Sequence, residues 1–370
     1  MDEDAGINAE ILLLGGGHAH VEVIRRLGQL GLGARMTLVS PGRYAPYSGM
    51  LPGYIAGVYS FDDFHIDLAA LCLRFGVTFL ETSATHIDPD ERIVRFAEGS
   101  SIGYRLLSVD IGSTPSLPLG ISAGISVKPI SSFTDRLGRL DALIAAGERV
   151  KLAVVGQGVA GVEVAFALKQ RFAGRDVEIA LIGRSAGPVP ERSFRARRLV
   201  EKELRVAGLA HHPAFDVVGF ENGEVVARDG RRLVADEVIW TTSSGSQEFL
   251  RETGLLLDAG GFIRVDENLR SLSHPDIFAA GDVASLADPR PKAGVFAVRQ
   301  GPVLADNIHR SLKGEALQAY RPQRFWLVLI SLPNGRAIAD KWGLALVGRW
   351  VARWKDRIDR GFMQRYKRDM

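Results

Sequence analysis

Ile11-Leu12-Leu13-Leu14-Gly15-Gly16-Gly17-His18-Ala19-His20-Val21-Glu22 and Leu152-Ala153-Val154-Val155-Gly156-Gln157-Gly158-Val159-Ala160-Gly161-Val162-Glu163 are two copies of one pattern. Gly15 aligns with Gly156, Gly17 with Gly158, His20 with Gly161 and Glu22 with Glu163. Each copy reads as strand, turn and helix. A short apolar run ending in glycines suits a buried parallel strand. The first Gly permits the tight turn, the second lets the backbone approach a pyrophosphate, and the third lets helix and strand pack closely. The helix N-terminus then offers free N–H groups and a partial positive charge to phosphates. A βα turn that binds nothing is the bland alternative, but both copies have the flanking strand and helix that the motif requires. Two such turns predict an α/β chain with two Rossmann-like dinucleotide-binding domains, and electron transfer between two dinucleotides. His20 is the irregular position, a ring where close packing usually wants glycine.

The strand after each turn is the next test, since an acid at its end would hold a ribose hydroxyl. In the first unit the strand Ala34–Val39 ends at Ser40-Pro41, so Ser40 is the weaker ribose candidate. In the second, Val177–Ile182 ends at Gly183-Arg184. An Arg there suits a 2′-phosphate and leans the reading toward NADPH over NADH; a solvated surface Arg is the alternative. Further on, the apolar strand of His274–Val283 ends in Gly281-Asp282, aiming a carboxylate at a ligand hydroxyl or capping the next helix. Lys292–Gly301 reads as a loop entering a helix, with backbone N–H groups near Phe296–Gln300 facing the electron-rich end of a flavin.

The paired turns, Asp110-Ile111-Gly112-Ser113 and Ile277-Phe278-Ala279-Ala280-Gly281-Asp282 resemble the two-dinucleotide flavoprotein superfamily. That group includes pyridine nucleotide–disulfide oxidoreductases, type II NADH dehydrogenases and ferredoxin reductases. Arg43–Gly53, Lys292–Gly301 and Lys355–Asp359 are similar to the subfamily fused to selenophosphate synthetase, which implies a link to that enzyme and to selenium metabolism. The resemblance implies FAD together with NADPH or NADH. The FAD site would comprise Gly15, Gly17, His18, Ala19, Ser40, Ala84, Asp110, Gly281, Asp282, Phe296 and Gln300. Asp282 would meet the ribityl chain and the Ala84 backbone the adenine. The NAD(P) site would comprise Gly156, Gly158, Gly161, Glu163, Arg184 and Gly245. Tyr44, Tyr47 and Lys292 are the acceptor-side candidates, with packing or solvation as the alternative for each. No metal ligand set is expected.

One departure decides the chemistry. Disulfide reductases of this superfamily carry two redox cysteines after the second strand, where this chain reads Tyr47-Ser48-Gly49-Met50-Leu51-Pro52. Its one cysteine, Cys72, lies in the apolar run Ile66–Phe75 and reads as a small core hydrophobe. One thiol cannot cycle through an internal disulfide. The expected reaction is hydride transfer from nicotinamide to flavin, then to a non-disulfide acceptor, a quinone or a selenium or sulfur species, with a small electron-transfer protein as an alternative. A flavin-bound redox sensor or interaction protein is the alternative from another class.

The chain has 370 residues, 46% of them hydrophobic, enough for two packed domains and an appendage. Its net charge of +3 and the motifs found give no sign of nucleic-acid binding. A single Cys, an acidic Met1-Asp2-Glu3-Asp4 start and no apolar run of membrane-spanning length suggest a cytoplasmic protein, at most peripheral on the inner membrane face. The expected order is FAD domain 8–114, NAD(P) domain 115–254 entered through the Pro/Gly/Ser-rich Ser113–Gly120, the rest of the FAD domain 255–320, and a tail 321–370. The tail reads as strands Phe325–Ile330 and Arg336–Ala339 around Pro333-Asn334-Gly335, then a helix from about Leu344. Leu346, Trp350, Trp354, Ile358, Phe362 and Tyr366 recur every four residues as an apolar stripe. Residues 344–370 carry eight Lys/Arg against three Asp. A basic, Trp-bearing amphipathic helix suits a membrane surface; docking on its own domain or on a homodimer mate is the other reading.

Overall fold

The computed structural model describes residues 8–118, 121, 123–145 and 149–367. Met1–Asp4, Leu119, Gly120, Arg368 and Asp369 lie outside the described residues. Strand β1 (Asn8–Leu14) is apolar on both faces from Ile11 to Leu14, as a strand covered on two sides requires. It leads into helix α1 (His18–Gln29). A 3₁₀ turn at Gly33–Arg35 delays the next strand, so β2 spans Met36–Ser40. Helix α2 (Leu68–Phe75) packs on α1, and strands β3 (Thr78–Glu81), β4 (Ala84–Asp88), β5 (Ile93–Phe96) and β6 (Ser101–Val109) follow. Their order in the sheet is β3-β2-β1-β6-β5-β4. The first four of these are parallel, and the β5 and β4 edge is antiparallel.

The chain then builds a second, all-parallel sheet. It contains β7 (Ile125–Ser126), β8 (Val150–Val155), β9 (Val177–Ile182), β10 (Ala210–His212) and β11 (Glu237–Trp240), ordered β7-β11-β8-β9-β10. Helix α3 (Val159–Arg171) links β8 to β9. Strand β12 (Ile277–Ala279) then returns to the first sheet and pairs with β6 in parallel. The long helix α4 (Gly294–Lys313) packs along α1. The second unit is therefore inserted into the first, and the two glycine turns face each other across the crevice at the strand ends, where open α/β sheets bind ligands.

The tail departs from the sequence reading at one point. Strands β13 (Val328–Leu332) and β14 (Arg336–Lys341) form the expected hairpin, with Asn334 and Gly335 at φ 61° and 66°. Residues 344–348, read as helix, form a third antiparallel strand, β15 (Leu344–Gly348). Trp342 and Gly343 both take positive φ, the two-residue turn that returns a strand on its neighbour. The C-terminal helix α5 (Arg349–Lys367) begins only after it.

His20 is fully buried. Its Nδ1 lies 2.6 Å from the Gly15 carbonyl and its Nε2 2.8 Å from Ser108 Oγ on β6. The ring donates to the carbonyl and accepts from the hydroxyl, so it is neutral. It fills the third-glycine position by tying the turn to the next strand. Burial pulls its pKa from 6.5 to about 4. Its contribution is thus complete above the unfolded value near 6.5 and is lost as pH falls toward 4. His20→Ala is expected to cost about 2–4 kcal/mol through a cavity and an unpaired Ser108 hydroxyl, and to flatten that part of the stability–pH curve, read by urea unfolding.

Candidate functional site

A cavity of about 2040 Å³ runs between the two glycine turns. That is roughly twice the upper end for a single small-molecule pocket and suits two ligands. Gly15, Gly17, His18, Ser40, Ala84, Asp110 and Asp282 line its first end. Ala19, Gly281, Phe296 and Gln300 stand behind that wall.

Asp110, at the end of β6, accepts hydrogen bonds from the Ala19 and His20 amides at 2.8 and 3.1 Å. Burial raises its carboxyl to about 7, against the two amides and with the Asp282 charge adding to the rise. A Cβ on Gly17 would coincide with this carboxyl. Gly17 therefore admits Asp110, a reason beyond the approach to a pyrophosphate read from the sequence. The amides left for a phosphate are those of the turn itself. Ser40 is buried at the end of β2.

Asp282 caps no helix. It accepts from Lys128 Nζ at 2.6 Å and from Ser113 Oγ at 2.8 Å, and Lys128 also reaches Ser244 Oγ at 3.0 Å. Burial alone would raise its carboxyl; the Lys128 ammonium and the two hydrogen bonds outweigh that and hold it below its ordinary value. Behind it, the Gly281 amide donates to Gln300 Oε1 at 2.6 Å. Gln300 thus positions the carboxylate. The sequence reading missed Lys128, which joins segments far apart in the chain. Phe296 faces Trp326 with ring centroids 5.1 Å apart. The free amide end of α4 lies at Gly294 and Val295, just ahead of the expected Phe296–Gln300, because the helix starts at Gly294 and the Phe296 amide is already bonded to Ala293 O. At that end Gly294 faces Ser48 Oγ and His18 Nε2. His18 Nε2 is sealed from solvent with no hydrogen-bond partner among the described residues. Burial lowers its pKa to about 4, so the ring is neutral. An orphaned imidazole nitrogen, a free helix N-terminus and the glycine cradle at one end of a large cavity fit FAD.

Gly156, Gly158, Glu163 and Arg184 line the opposite end. Gly161 stands behind it, where a Cβ would collide with the Gly156 carbonyl. Gly245 lies in a short strand pairing with Thr114. Gln157 anchors the turn, donating its Nε2 to Ser185 O and accepting at Oε1 from His211 Nε2 at 2.7 Å. Glu191 accepts from the Val159 amide at 3.2 Å, a carboxylate on the helix end that a phosphate would use. Arg184 is exposed beside this turn. The Glu163 carboxylate turns away from it and accepts from the Ser331 amide of β13 at 2.8 Å.

The third wall belongs to α5. Lys355, Ile358, Asp359 and Phe362 line the cavity. Phe362 stacks on Tyr47 with centroids 4.4 Å apart, and Lys355 Nζ donates to Gly49 O at 2.6 Å and Asp359 Oδ2 at 2.7 Å. Tyr44 also lines the cavity but is exposed, edge-on to Phe61. Lys292 donates to Ala284 O at 2.6 Å over the Phe262 ring. Cys72 is fully buried in α2 outside the cavity lining, and burial pushes its thiol up to about 12.

The family model for pyridine nucleotide-disulphide oxidoreductases matches residues 9–301, and the chain belongs to that family. An NADH dehydrogenase-like protein of Mycobacterium tuberculosis is 26% identical over 292 residues, covering 74% of this chain and 73% of the relative. Ferroptosis suppressor protein 1 of Homo sapiens is 25% identical over 321 residues, covering 79% and 83%. Among solved structures, the sulfide:quinone oxidoreductase of Aquifex aeolicus superposes with a TM-score of 0.79 at 17% identity, over 97% of this chain and 91% of that one. That likeness speaks for the fold. The chain is an NAD(P)H-dependent flavin oxidoreductase. It departs from the family's name in having one cysteine, a buried and protonated one.

Asp282→Ala is expected to weaken FAD by about 1–3 kcal/mol, the range for a lost charge-assisted hydrogen bond. Fluorescence titration of the apoprotein measures it; unchanged affinity would take Asp282 out of the site.

Proposed function

We propose that the chain oxidises NAD(P)H through FAD and passes the electrons to a membrane-held quinone. The observation that carries this reading is the double position of Ile358. It lines the cavity, and it is also 42% exposed. From it an apolar ridge continues outward through Trp354 and Trp350 to Leu346, Leu344 and Trp342, all exposed. Arg349, Arg353 and Arg357 run alongside, exposed and without an ion pair among the described residues. Trp and Arg side by side on an amphipathic helix suit the headgroup region of an anionic bilayer. No helix among the described residues is long and apolar enough to cross a membrane. A lipophilic acceptor would slide from the bilayer along this ridge into the cavity. The link to selenophosphate synthetase rests on the sequence resemblance alone.

FAD, when bound, supplies the hydride and electron chemistry. The protein's part is placement. The first turn, Ser40 and Asp282 hold the flavin nucleotide; Gly156, Gly158 and Arg184 hold the nicotinamide nucleotide. The amides of Gly294 and Val295 favour negative charge on the reduced ring. Arg184, exposed at the ribose end of the second unit, favours NADPH over NADH.

The tail divides the two earlier readings of its stripe. Phe362 and Tyr366 are buried, whereas Trp350, Trp354 and Ile358 are not. Deleting the helix would uncover the core, so point variants are the test. Paired Trp350→Asn and Trp354→Asn should stop flotation with anionic vesicles at low salt and slow long-chain quinone reduction. Ferricyanide turnover and melting temperature should stay the same. Wild-type protein that fails to float at low salt would defeat the membrane reading.

Arg184→Ala should narrow the preference for NADPH in stopped-flow flavin reduction, because a guanidinium pairs with a dianionic phosphate through charge-assisted bonds. Equal rates for both nucleotides, unchanged by the substitution, would remove Arg184 from the site.

A further inference from the structure

Reduction of a quinone consumes two protons. The hydride carries one, and the other needs a source inside the cavity. Lys292 is bound to the Ala284 carbonyl, and Tyr44 is open to solvent. Tyr47 is different: it is mostly buried, lines the cavity, stacks on Phe362 and lies against Asp359, which lines the cavity beside it. Asp359 is 4% exposed and lies one helical turn from Lys355, whose ammonium it accepts at 2.7 Å. These groups come from the first unit and from the Lys355–Asp359 segment of the tail, which the glycine turns do not explain.

We propose that Tyr47 gives the acceptor its second proton and that Asp359 is the positioning residue that reloads Tyr47. The proposal rests on the quinone reading above. The acceptor takes two electrons and one proton as a hydride from the reduced flavin. Its other oxygen takes the phenolic proton of Tyr47. Asp359 takes up a proton from water and passes it to the Tyr47 oxygen as the phenolic proton leaves. The sum is NAD(P)H, a proton and quinone giving NAD(P)⁺ and quinol. Burial raises the Asp359 carboxyl, and Lys355 and the nearby Tyr47 hydroxyl oppose the rise without cancelling it. Burial and the Asp359 charge both raise the Tyr47 phenol, so it stays protonated until the acceptor draws on it. The charged and titratable groups facing Asp359 are Lys355 and Asp356 on its own helix, Glu163 on α3, and Tyr47 and Tyr59 from the first unit, with Arg365 facing Tyr47.

The test uses the FAD-loaded full chain. Flavin reduction by NAD(P)H is followed first, then reoxidation by menadione, which needs protons, and by ferricyanide, which needs none. Tyr47→Phe should slow menadione reoxidation roughly 10²-fold, the lower end of general-acid effects, and Asp359→Asn, acting through Tyr47, less, roughly tenfold. The double variant should be no slower than Tyr47→Phe. The ratio of menadione to ferricyanide rates should fall in both, and Asp359→Glu should restore part of it. In the wild type that ratio should decline as pH rises through the Asp359 pKa, and in Asp359→Asn it should be flat. A readout without turnover is thermal unfolding. Above the unfolded Asp value, wild-type stability should fall with rising pH until the folded carboxyl ionises, because the folded state keeps a proton the unfolded state has released. Asp359→Asn should remove that decline. Equal slowing with both acceptors, or none with menadione, overturns the relay alone. Wild-type enzyme that reduces ferricyanide but no quinone overturns the acceptor reading and the relay with it.

Discussion

The Asp110 carboxyl is wedged where three segments meet, and the cavity's geometry depends on it. It holds the first two free amides beyond the start of α1, Ala19 and His20. Its oxygens occupy the space a side chain would need at Gly17, and they crowd Gly281 on the returning segment in the same way. β6, the first turn and the return to the first sheet are therefore fixed to one another by one carboxyl. Asp282, next to Gly281, inherits its position from this contact and from Gln300. A buried carboxyl is costly unless its hydrogen bonds are met. Here the cost is offset by amides that the helix would otherwise leave without partners.

The tail does for the two units what Asp110 does within the first. Arg336 pairs with Glu203, and Arg192 with the buried Asp340, joining the hairpin to the inserted unit. Tyr366 donates to Glu22, and Tyr59 to Asp356, joining α5 to the first unit. The Arg192–Asp340 pair is nearly sealed from water, and removing one partner of such a pair costs more than its formation contributes. The tail is thus a clamp across the crevice as well as its third wall. Glu163 shows the consequence: the inserted unit's turn reaches forward to bond β13 instead of staying within its own motif.

The fold was legible in the sequence because its signals are local. Glycines between an apolar run and a helix, repeated once, define two turns, and Ile277–Ala279 before Gly281-Asp282 marks the return. What escaped was non-local or stood just ahead of its expected place. Lys128 carries no motif; its importance comes from meeting Ser113, Ser244 and Asp282 in space. His20 read as an obstruction because its partners, Gly15 O and Ser108, are visible only once β6 lies beside β1. Residues 344–348 carry the four-residue rhythm of the helix that follows, but two left-handed residues at Trp342 and Gly343 turn them into a strand. The stripe of α5 read as one surface. A helix repeat of 3.6 residues makes a four-residue spacing drift, so Trp350 and Tyr366 end on different sides.

That drift gives α5 two chemically different faces. Its inner face carries Lys355, Asp359 and Phe362 against the cavity, dry enough to raise the Asp359 carboxyl. Its outer face carries Trp350, Trp354 and a row of arginines in the open. Ile358 sits where the two faces meet. The proposed quinone acceptor takes its electrons directly from the flavin, and for that it has to enter the cavity. An apolar acceptor needs a path that never crosses bulk water, and its protonation needs polar groups that never meet lipid. One helix can meet both demands only if its faces are kept apart by the turn of the helix itself, and the register from Trp350 to Phe362 does so.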